Sequence, residues 1–184
     1  MRLFIGLPFE NSSRPAIARL QLEAQHCIKM TPVAPGNLHM TVKFIGDAES
    51  DKKGDIIRVL EGLKSSLKPF SIDLRGVGVL PSPQKPNVLL IRMADDSAMT
   101  ELMKTVAVAL EKAGFLRETN EIKPHLTIGR IKFVSDKRAF QGFLLKHSKD
   151  SFGEMRVNTL VLYESILQSE GPVYKKHYEM RFGE

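Results

Sequence analysis

Hydrophobic and polar residues alternate along several short stretches of the chain, and this pattern predicts β-strands. The stretches are rich in β-branched and aliphatic residues, and turn-forming residues separate them. The predicted strands are 2–7, 38–46, 70–80, 87–93, 125–134, 155–165 and 172–180. The segment PSPQKP at 81–86 predicts the turn of a hairpin that joins the strands on either side of it.

Apolar residues recur every three to four positions between these strands, which predicts four helices. Gly114 is a typical residue for the C-terminal end of the third helix. The residues predicted to begin the helices, in chain order, are Ser13 with Pro15, Ser50 or Asp51, Asp96 or Ser97, and Ser135.

A weak internal repeat relates the two halves of the chain. An offset of 86 positions places His39 on His125 and Thr41 on Thr127. The same offset aligns apolar residues of strands and helices in the same order, which is typical of a duplicated unit. We therefore expect residues 1–184 to form a single bilobal domain of α+β class. Its two pseudo-symmetric lobes would each be an antiparallel sheet with helices on the outer face, and a central cleft would separate them.

Composition narrows the classes of partner. The chain has 184 residues, 42% of them hydrophobic, and a net charge of +6 with a pI near 9.5. This charge suits an anionic partner, nucleic acid first, although it is equally compatible with ordinary solubility. No apolar run approaches the roughly 20 residues that span a bilayer, and the N-terminal apolar stretch is too short for a signal peptide, so we expect a cytoplasmic protein without membrane contact. The single cysteine, Cys27, rules out an internal disulfide and a cysteine-based zinc site.

Two His-x-Thr motifs carry the candidate chemistry, one in NLHMTVKFIG at 37–46 and one in KPHLTIGRIK at 123–132. Residues i and i+2 of a strand share one face, so each histidine is expected to point the same way as its threonine. Met40, Val42 and Phe44 are expected to point the other way, into the core.

A histidine and a threonine on one strand face form half of a phosphate site. Imidazole transfers protons near neutral pH, and a threonine hydroxyl donates to a phosphate oxygen. Displacement at phosphorus needs an acid and a base on opposite sides, because the entering and leaving oxygens lie in line. Two half-sites facing across a cleft supply that geometry, and they suit a reactive ester such as a 2′,3′-cyclic phosphate at an RNA end.

The alternatives are structural polarity and a metal site. A single His-x-Thr is common in cores and on surfaces, but two copies at equivalent points of a repeat favour function. The sequence contains no H-x-H, no H-E-x-x-H and no carboxylate cluster beside either histidine, so we expect neither a metal nor another cofactor.

Nearly the whole chain resembles the two-histidine (2H) phosphoesterases, and within them the RNA 2′,3′-cyclic phosphodiesterases, also called 2′-5′ RNA ligases. The resemblance lies in RLFIGLP, NLHMTVKFIGD, GVGVLPSPQKPNVLLIRM, KPHLTIGR and LVLYES. It differs ahead of the first motif, where the family often has an aromatic-basic pair and this chain has KMTPVAPGN and no tryptophan.

The resemblance implies a role for each motif residue. His39 would donate a proton to the leaving 3′ oxygen, His125 would activate water, and Thr41 and Thr127 would hold phosphate oxygens. It implies an RNA end with a 2′,3′-cyclic phosphate as substrate and a 2′-phosphate as product. We expect tRNA fragments among the substrates and a monomeric protein. A 5′-hydroxyl RNA end in place of water would give a 2′-5′ linkage.

Basic residues near the motifs are further candidates for substrate binding. The offset pairs Phe44 with Arg130, and the family has arginine at this place. Strict alternation directs Arg130 away from His125, so it reaches the cleft only if the strand ends, twists or bulges there. Lys43 shares the phase of Thr41 and is either an RNA contact or a solvated lysine.

Two further readings stay open from the sequence. One is an RNA- or nucleotide-binding module without significant turnover, and the other is a phosphodiesterase acting on small cyclic nucleotides.

Overall fold

A computed structural model describes residues 1–49, 51–115, 123–169 and 171–183, and within them the chain forms nine strands and four helices. A 3-10 turn at Pro35–Asn37 precedes the third strand. In chain order the elements are β1 (Arg2–Pro8), α1 (Arg14–Ala24), β2 (Ile28–Pro32), β3 (His39–Asp47), α2 (Lys52–Leu63), β4 (Phe70–Ser82), β5 (Lys85–Met93), α3 (Ser97–Lys112), β6 (Leu126–Val134), α4 (Lys137–Lys146), β7 (Ser151–Val157), β8 (Thr159–Gln168) and β9 (Gly171–Arg181).

The strands form two antiparallel sheets, which confirms the predicted α+β class. One sheet has the order β3-β1-β8-β9, and the other has the order β2-β6-β5-β4-β7. The strand that contains Thr41 is therefore at an edge of the first sheet, and the strand that contains Thr127 lies in the second. β4 and β5 form the predicted hairpin, in which Ser82 pairs with Lys85.

One continuous hydrophobic core joins both sheets and all four helices. On β1, the alternate residues Leu3, Ile5 and Leu7 are buried in this core. The residue between the first two of them, Phe4, belongs to a separate small cluster with Val161 and Tyr163. Each face of the first sheet therefore has its own environment, and helices cover only the core face. No helix among the described residues is long and apolar enough to cross a membrane.

The region 155–165 differs from its prediction as one strand. The structure divides it at Asn158, between β7 and β8. β7 pairs with β4 in the second sheet, and β8 pairs with β1 in the first, so the chain changes sheets at this residue. Apolar residues on both sides of Asn158 are buried, which is why the sequence pattern reads as continuous.

The second strand, β2, has no counterpart among the predicted strands. It contains only five residues and pairs with β6, about a hundred positions later in the chain. The preceding helix supports this pairing through the buried amide of Gln21, whose Nε2 donates to the carbonyl oxygens of Val33 and Ile128 at 2.9 and 2.8 Å. A short edge strand that depends on such distant contacts leaves little sign of itself in the local sequence pattern.

The helices lie close to their predicted positions. Gly114 follows α3 with a φ of 88°, as expected of a glycine that ends a helix. The fourth helix begins one residue later than predicted, because Asp136 and not Ser135 is its cap: Oδ1 of Asp136 accepts the N–H of Ala139 at 2.9 Å. The second helix begins at Lys52 after Asp51, and the alternative start at Ser50 lies outside the described residues.

Candidate active site

The His39 ring is fixed at the start of β3 by a backbone carbonyl. Its Nδ1 lies 2.7 Å from the carbonyl oxygen of Asn37. A carbonyl only accepts, so Nδ1 carries the proton, and in the neutral ring Nε2 has the free lone pair. Thr41 Oγ1 lies 3.3 Å from that Nε2 and donates to it. The two motif side chains therefore meet on one face, as the sequence predicts.

His125 is held in the same way on the other sheet. Its Nδ1 lies 2.6 Å from the carbonyl oxygen of Lys123, again two residues earlier in the chain. Both motif histidines therefore present Nε2 as the free nitrogen. Thr127, on β6 opposite Leu90, is half-buried like His125.

A β-bulge follows the threonine in both motif strands. In the β1–β3 pair, Gly6 lies opposite Thr41 and Ile5 lies opposite Lys43, which leaves Val42 as the extra residue. In the β5–β6 pair, Leu90 lies opposite Thr127 and Leu89 lies opposite Gly129, so that Ile128 is the extra residue. A bulge shifts the alternation of the residues that follow it by one position.

The bulges bring Phe44 and Arg130 out of the core. Phe44 is 52% exposed, and its ring centroid lies 6.3 Å from that of Phe4. Arg130 is exposed, and its positive charge contributes to lowering the pKa of His39. The prediction that Phe44 points into the core is therefore wrong, and the condition set for Arg130 to reach the cleft is met.

Lys43 is also displaced by the bulge. It is only 3% exposed, so the prediction that it shares the face of Thr41 is wrong. On the second strand the equivalent position is Gly129, which is buried as well. The residue two positions after each threonine therefore faces the core, in contrast to a regular strand.

Aromatic rings surround His39 on the face opposite the core. The centroid of its ring lies 4.9 Å from that of Phe4 and 4.8 Å from that of Tyr174, the latter in an edge-to-face arrangement at 81°. Phe4 in turn stacks on Tyr163 with centroids 5.1 Å apart. A further contact fixes this region, because Nδ2 of Asn37 donates to the carbonyl oxygen of Pro172 at 2.8 Å and so ties the 3-10 turn to β9.

Burial among these rings lowers the pKa of His39 below its usual value. The hydrogen bond to Asn37 opposes the effect of burial, while the charges of Arg130 and His125 add to it. Those two contributions mean that the structure brings His39, His125 and Arg130 close enough together for their charges to interact. The free protein therefore holds His39 as a neutral imidazole at neutral pH.

The remaining histidines are placed differently. His147 caps α4, with Nδ1 2.6 Å from Asp150 Oδ2 and Nε2 3.0 Å from Glu23 Oε1. Burial would lower the pKa of His147, but the two carboxylates raise it above its usual value. His177 pairs with Glu164 at 2.8 Å, and His26 is exposed after α1. None of these three belongs to the face that carries the motifs.

Three residues of this face were not recognised from the sequence as site residues. Phe4 and Tyr163 alternate along their strands with residues of the main core and therefore point to the opposite face. This alternation is the sequence signal that could have identified them. Gly6 allows the close approach of β1 to the first motif: a Cβ there would lie 3.0 Å from the carbonyl oxygen of Met40 and 3.5 Å from Cδ2 of His39.

A cavity of about 230 Å³ lies beside His39. Within the described ranges, no group of three or more His, Cys, Asp or Glu side chains is placed to hold a metal ion. The chemistry that this face offers by itself is thus proton transfer by two imidazoles, with hydroxyl and guanidinium donors beside them.

Comparisons with known proteins show which family this chain is similar to. A family model described as the 2′-5′ RNA ligase superfamily matches residues 8–166. A protein of Archaeoglobus fulgidus named RNA 2′,3′-cyclic phosphodiesterase is 35% identical, with 95% of this chain and 97% of the relative covered. A protein of the same name from Aquifex aeolicus is 32% identical, with 100% of this chain and 98% of the relative covered.

The fold has been seen before in a solved structure. The crystal structure of TT0787 of Thermus thermophilus superimposes with a TM-score of 0.82. The superposition covers 99% of this chain and 98% of that one, at 24% sequence identity.

Proposed function

We propose, since the chain belongs to the 2′-5′ RNA ligase superfamily, that it hydrolyses 2′,3′-cyclic phosphate ends of RNA to 2′-phosphates without a metal ion. Relatives that match this chain over almost their full length are named RNA 2′,3′-cyclic phosphodiesterase, and these names support this reading. The observation that carries it is the matched pair of histidines. His39 and His125 lie on different sheets, and each donates Nδ1–H to the carbonyl two residues before it.

In the proposed reaction the two rings act on opposite sides of one phosphorus. His125 Nε2 takes a proton from water as the water oxygen bonds to phosphorus. The bond from phosphorus to O3′ breaks, and His39 Nε2 delivers a proton to that oxygen, which leaves the phosphate on O2′. The in-line geometry of phosphoryl displacement requires this separation of base and acid. The order of the two histidines comes from the family resemblance.

The acid role of His39 depends on the bound phosphate. Burial lowers the pKa of His39 in the free protein, so the ring is neutral at pH 7. An anionic phosphate beside Nε2 favours the protonated ring and raises its pKa. The substrate therefore creates the acid that its own cleavage needs.

Hydroxyl and guanidinium groups complete the proposed phosphate site. Thr41 donates to His39 Nε2 in the free protein, at 3.3 Å, and its hydroxyl is free to turn to a phosphate oxygen once His39 is protonated. We assign Thr127 the same role on β6. We assign Arg130, which the bulge turns away from the core, the role of pairing with the charge that develops on the phosphate.

A ligation reaction would use the same groups. A 5′-hydroxyl RNA end in place of water would attack the cyclic phosphate and form a 2′-5′ linkage, with the ring strain of the cyclic phosphate as the driving force. The family description names a ligase, and this supports ligation as a second candidate reaction beside hydrolysis. Finer points that we retain as predictions are tRNA fragments as substrates, a cytoplasmic location, a monomeric state, and the origin of residues 1–184 as one bilobal unit with an internal repeat.

The test of the proposed function is hydrolysis of a short RNA that ends in uridine 2′,3′-cyclic phosphate, in excess EDTA. We expect a product about 18 mass units heavier, the mass of one water, that co-migrates with the synthetic 2′-phosphate and not with the 3′-phosphate. The double variant His39→Ala/His125→Ala, purified identically, controls for a contaminating phosphodiesterase. Binding of the RNA without turnover would support a binding module instead, and loss of activity in EDTA would contradict the metal-free mechanism.

A further inference from the structure

The cavity beside His39 lies on the non-core face of the first sheet. Its lining includes Tyr163 on β8, Tyr174 and Lys176 on β9, Arg14 at the start of α1, and Asn37 in the 3-10 turn. His39 lines it as well, so the ring is shared between the cavity and the phosphate site. A group that fills the cavity is therefore a direct neighbour of the reacting ester.

Two neutral tyrosines line the cavity, of which Tyr163 is 7% exposed and stacked on Phe4, whereas Tyr174 is half-buried and is the ring that a ligand can reach. Burial raises the pKa of Tyr163 to about 12 and also raises that of Tyr174. Both phenols therefore keep their protons at neutral pH. An accessible aromatic ring such as that of Tyr174 stacks on the bases of single-stranded RNA, whatever the base identity.

Two cations stand at the same cavity. Arg14 is exposed, and its Nη2 donates to the carbonyl oxygen of Phe9, which leaves its other N–H groups for a ligand. Lys176 is exposed too, and its Nζ lies 3.1 Å from Oε2 of Glu179. The lining also contains one carboxylate, Glu10. Aromatic rings with more cations than carboxylates fit a nucleotide that carries a phosphate.

The size limits the ligand to one unit. About 230 Å³ is less than the roughly 300–1,000 Å³ of sites for drug-sized ligands. A nucleic acid duplex is far too wide for such a cavity. One nucleotide of a single strand is the largest part of an RNA that it can hold.

The position of the cavity relates it to the part of the strand on the His39 side of the phosphorus. In the proposed reaction His39 protonates O3′, so the ribose of the cyclic phosphate lies on the His39 side of the phosphorus. The cavity is on that side, and the O5′ of the same ribose is where the rest of the strand continues. We infer that the cavity is a second nucleotide subsite for the residue preceding the cyclic end, so that the enzyme selects RNA strands over free cyclic nucleotides. The inference rests on the proposed function.

The test compares uridine 2′,3′-cyclic phosphate with the dinucleotide that has adenosine attached to its O5′. We expect kcat/KM to be about 10-fold higher for the dinucleotide, because a stacked base contributes to its binding. Arg14→Ala and Lys176→Ala should each lower the ratio of the two kcat/KM values about 5-fold, the effect of one lost phosphate contact. Each should also make the slope of log kcat/KM against log salt for the dinucleotide shallower by about 0.7.

Lys175 provides the matched control. Lys175 is exposed and lies on the same strand as Lys176. It pairs in register with Glu164, and its charge acts on that carboxylate, whereas Lys176 pairs in register with Tyr163. Lys175→Ala removes the same charge and should leave the ratio and the salt slope unchanged.

The outcomes separate this inference from the function on which it rests. An equal kcat/KM for the two substrates, or a ratio that both cavity variants leave intact, would overturn the second subsite while hydrolysis itself stands. A parallel loss on both substrates in the cavity variants would also overturn it, because those residues would then act on the fold or on the chemistry. No turnover of either substrate by the unsubstituted protein would remove the proposed function, and the inference with it.

Discussion

Alanine in place of His39 or His125 should lower kcat/KM for cyclic phosphate hydrolysis by at least about 10²-fold, because each variant removes one general acid or base. Both rings are oriented by a carbonyl two residues before them, so the loss should be similar in size for the two positions. The double variant should lose less than the product of the single losses, because residues that act in one step are not additive. The measurement is initial rate against substrate concentration for each variant.

His26 is the matched control for these substitutions. It is exposed after α1 and has no contact with the motif face, so His26→Ala should leave the rate unchanged. Circular dichroism and melting temperatures of all variants test whether the substitutions disturb the fold. An active His39→Ala or His125→Ala protein would remove that histidine from the mechanism, whatever its position in the structure.

Gly76→Ala should destabilise the protein by about 3 kcal/mol, the largest stability effect that we expect from adding one methyl group. Gly76 has a φ of 80°, and a Cβ there would lie 2.3 Å from the carbonyl oxygen of Ser148. Its own N–H donates to the carbonyl oxygen of Asp150 at 2.8 Å, so the backbone cannot easily retreat. For a chain of this length the melting temperature should fall by roughly 6–12 °C.

Gly142→Ala is the opposite case and serves as its control. Gly142 lies inside α4, and a Cβ there would meet no atom within 4 Å. Alanine in a helix interior is better than glycine by about 0.5–1 kcal/mol, so this variant should melt at a higher temperature. Equal melting temperatures for the two variants would contradict the account of the Gly76 turn.

Most of the strands, the hairpin and the shared face of each His-x-Thr pair could be predicted from the sequence because they follow from local patterns. Alternation placed His39 with Thr41 and His125 with Thr127, and the structure has Thr41 Oγ1 3.3 Å from His39 Nε2. Both motifs also carry the resemblance of this chain to the two-histidine phosphoesterases. The class of fold and the type of chemistry therefore needed no long-range information.

The bulges could not be predicted with the same means. The extra residues, Val42 and Ile128, are ordinary strand formers, and neither of them is a glycine with positive φ that would mark a bulge. Strict alternation therefore placed Lys43 on the motif face and Phe44 in the core, and the structure reverses both.

Contacts between distant parts of the chain account for the other differences. β2 is a strand because it pairs with β6. The apolar residues before Asn158 belong to one sheet, and those after it belong to the other. The environment of His39 likewise comes from Phe4, Tyr163 and Tyr174, which three other strands bring together. Neither a pairing partner nor a shared pocket can be read from the spacing of residues in one segment.

The central claim is that His39 and His125 act on one phosphate, and ¹⁵N NMR of histidine-labelled protein titrated with uridine 2′-monophosphate tests it most directly. Spectra of the two alanine variants assign the Nε2 signals. We expect both signals to shift with a single Kd, and the pKa of His39, which burial lowers in the free protein, to rise when the phosphate binds. A response of only one ring, or two rings that respond with different Kd values, would contradict the account.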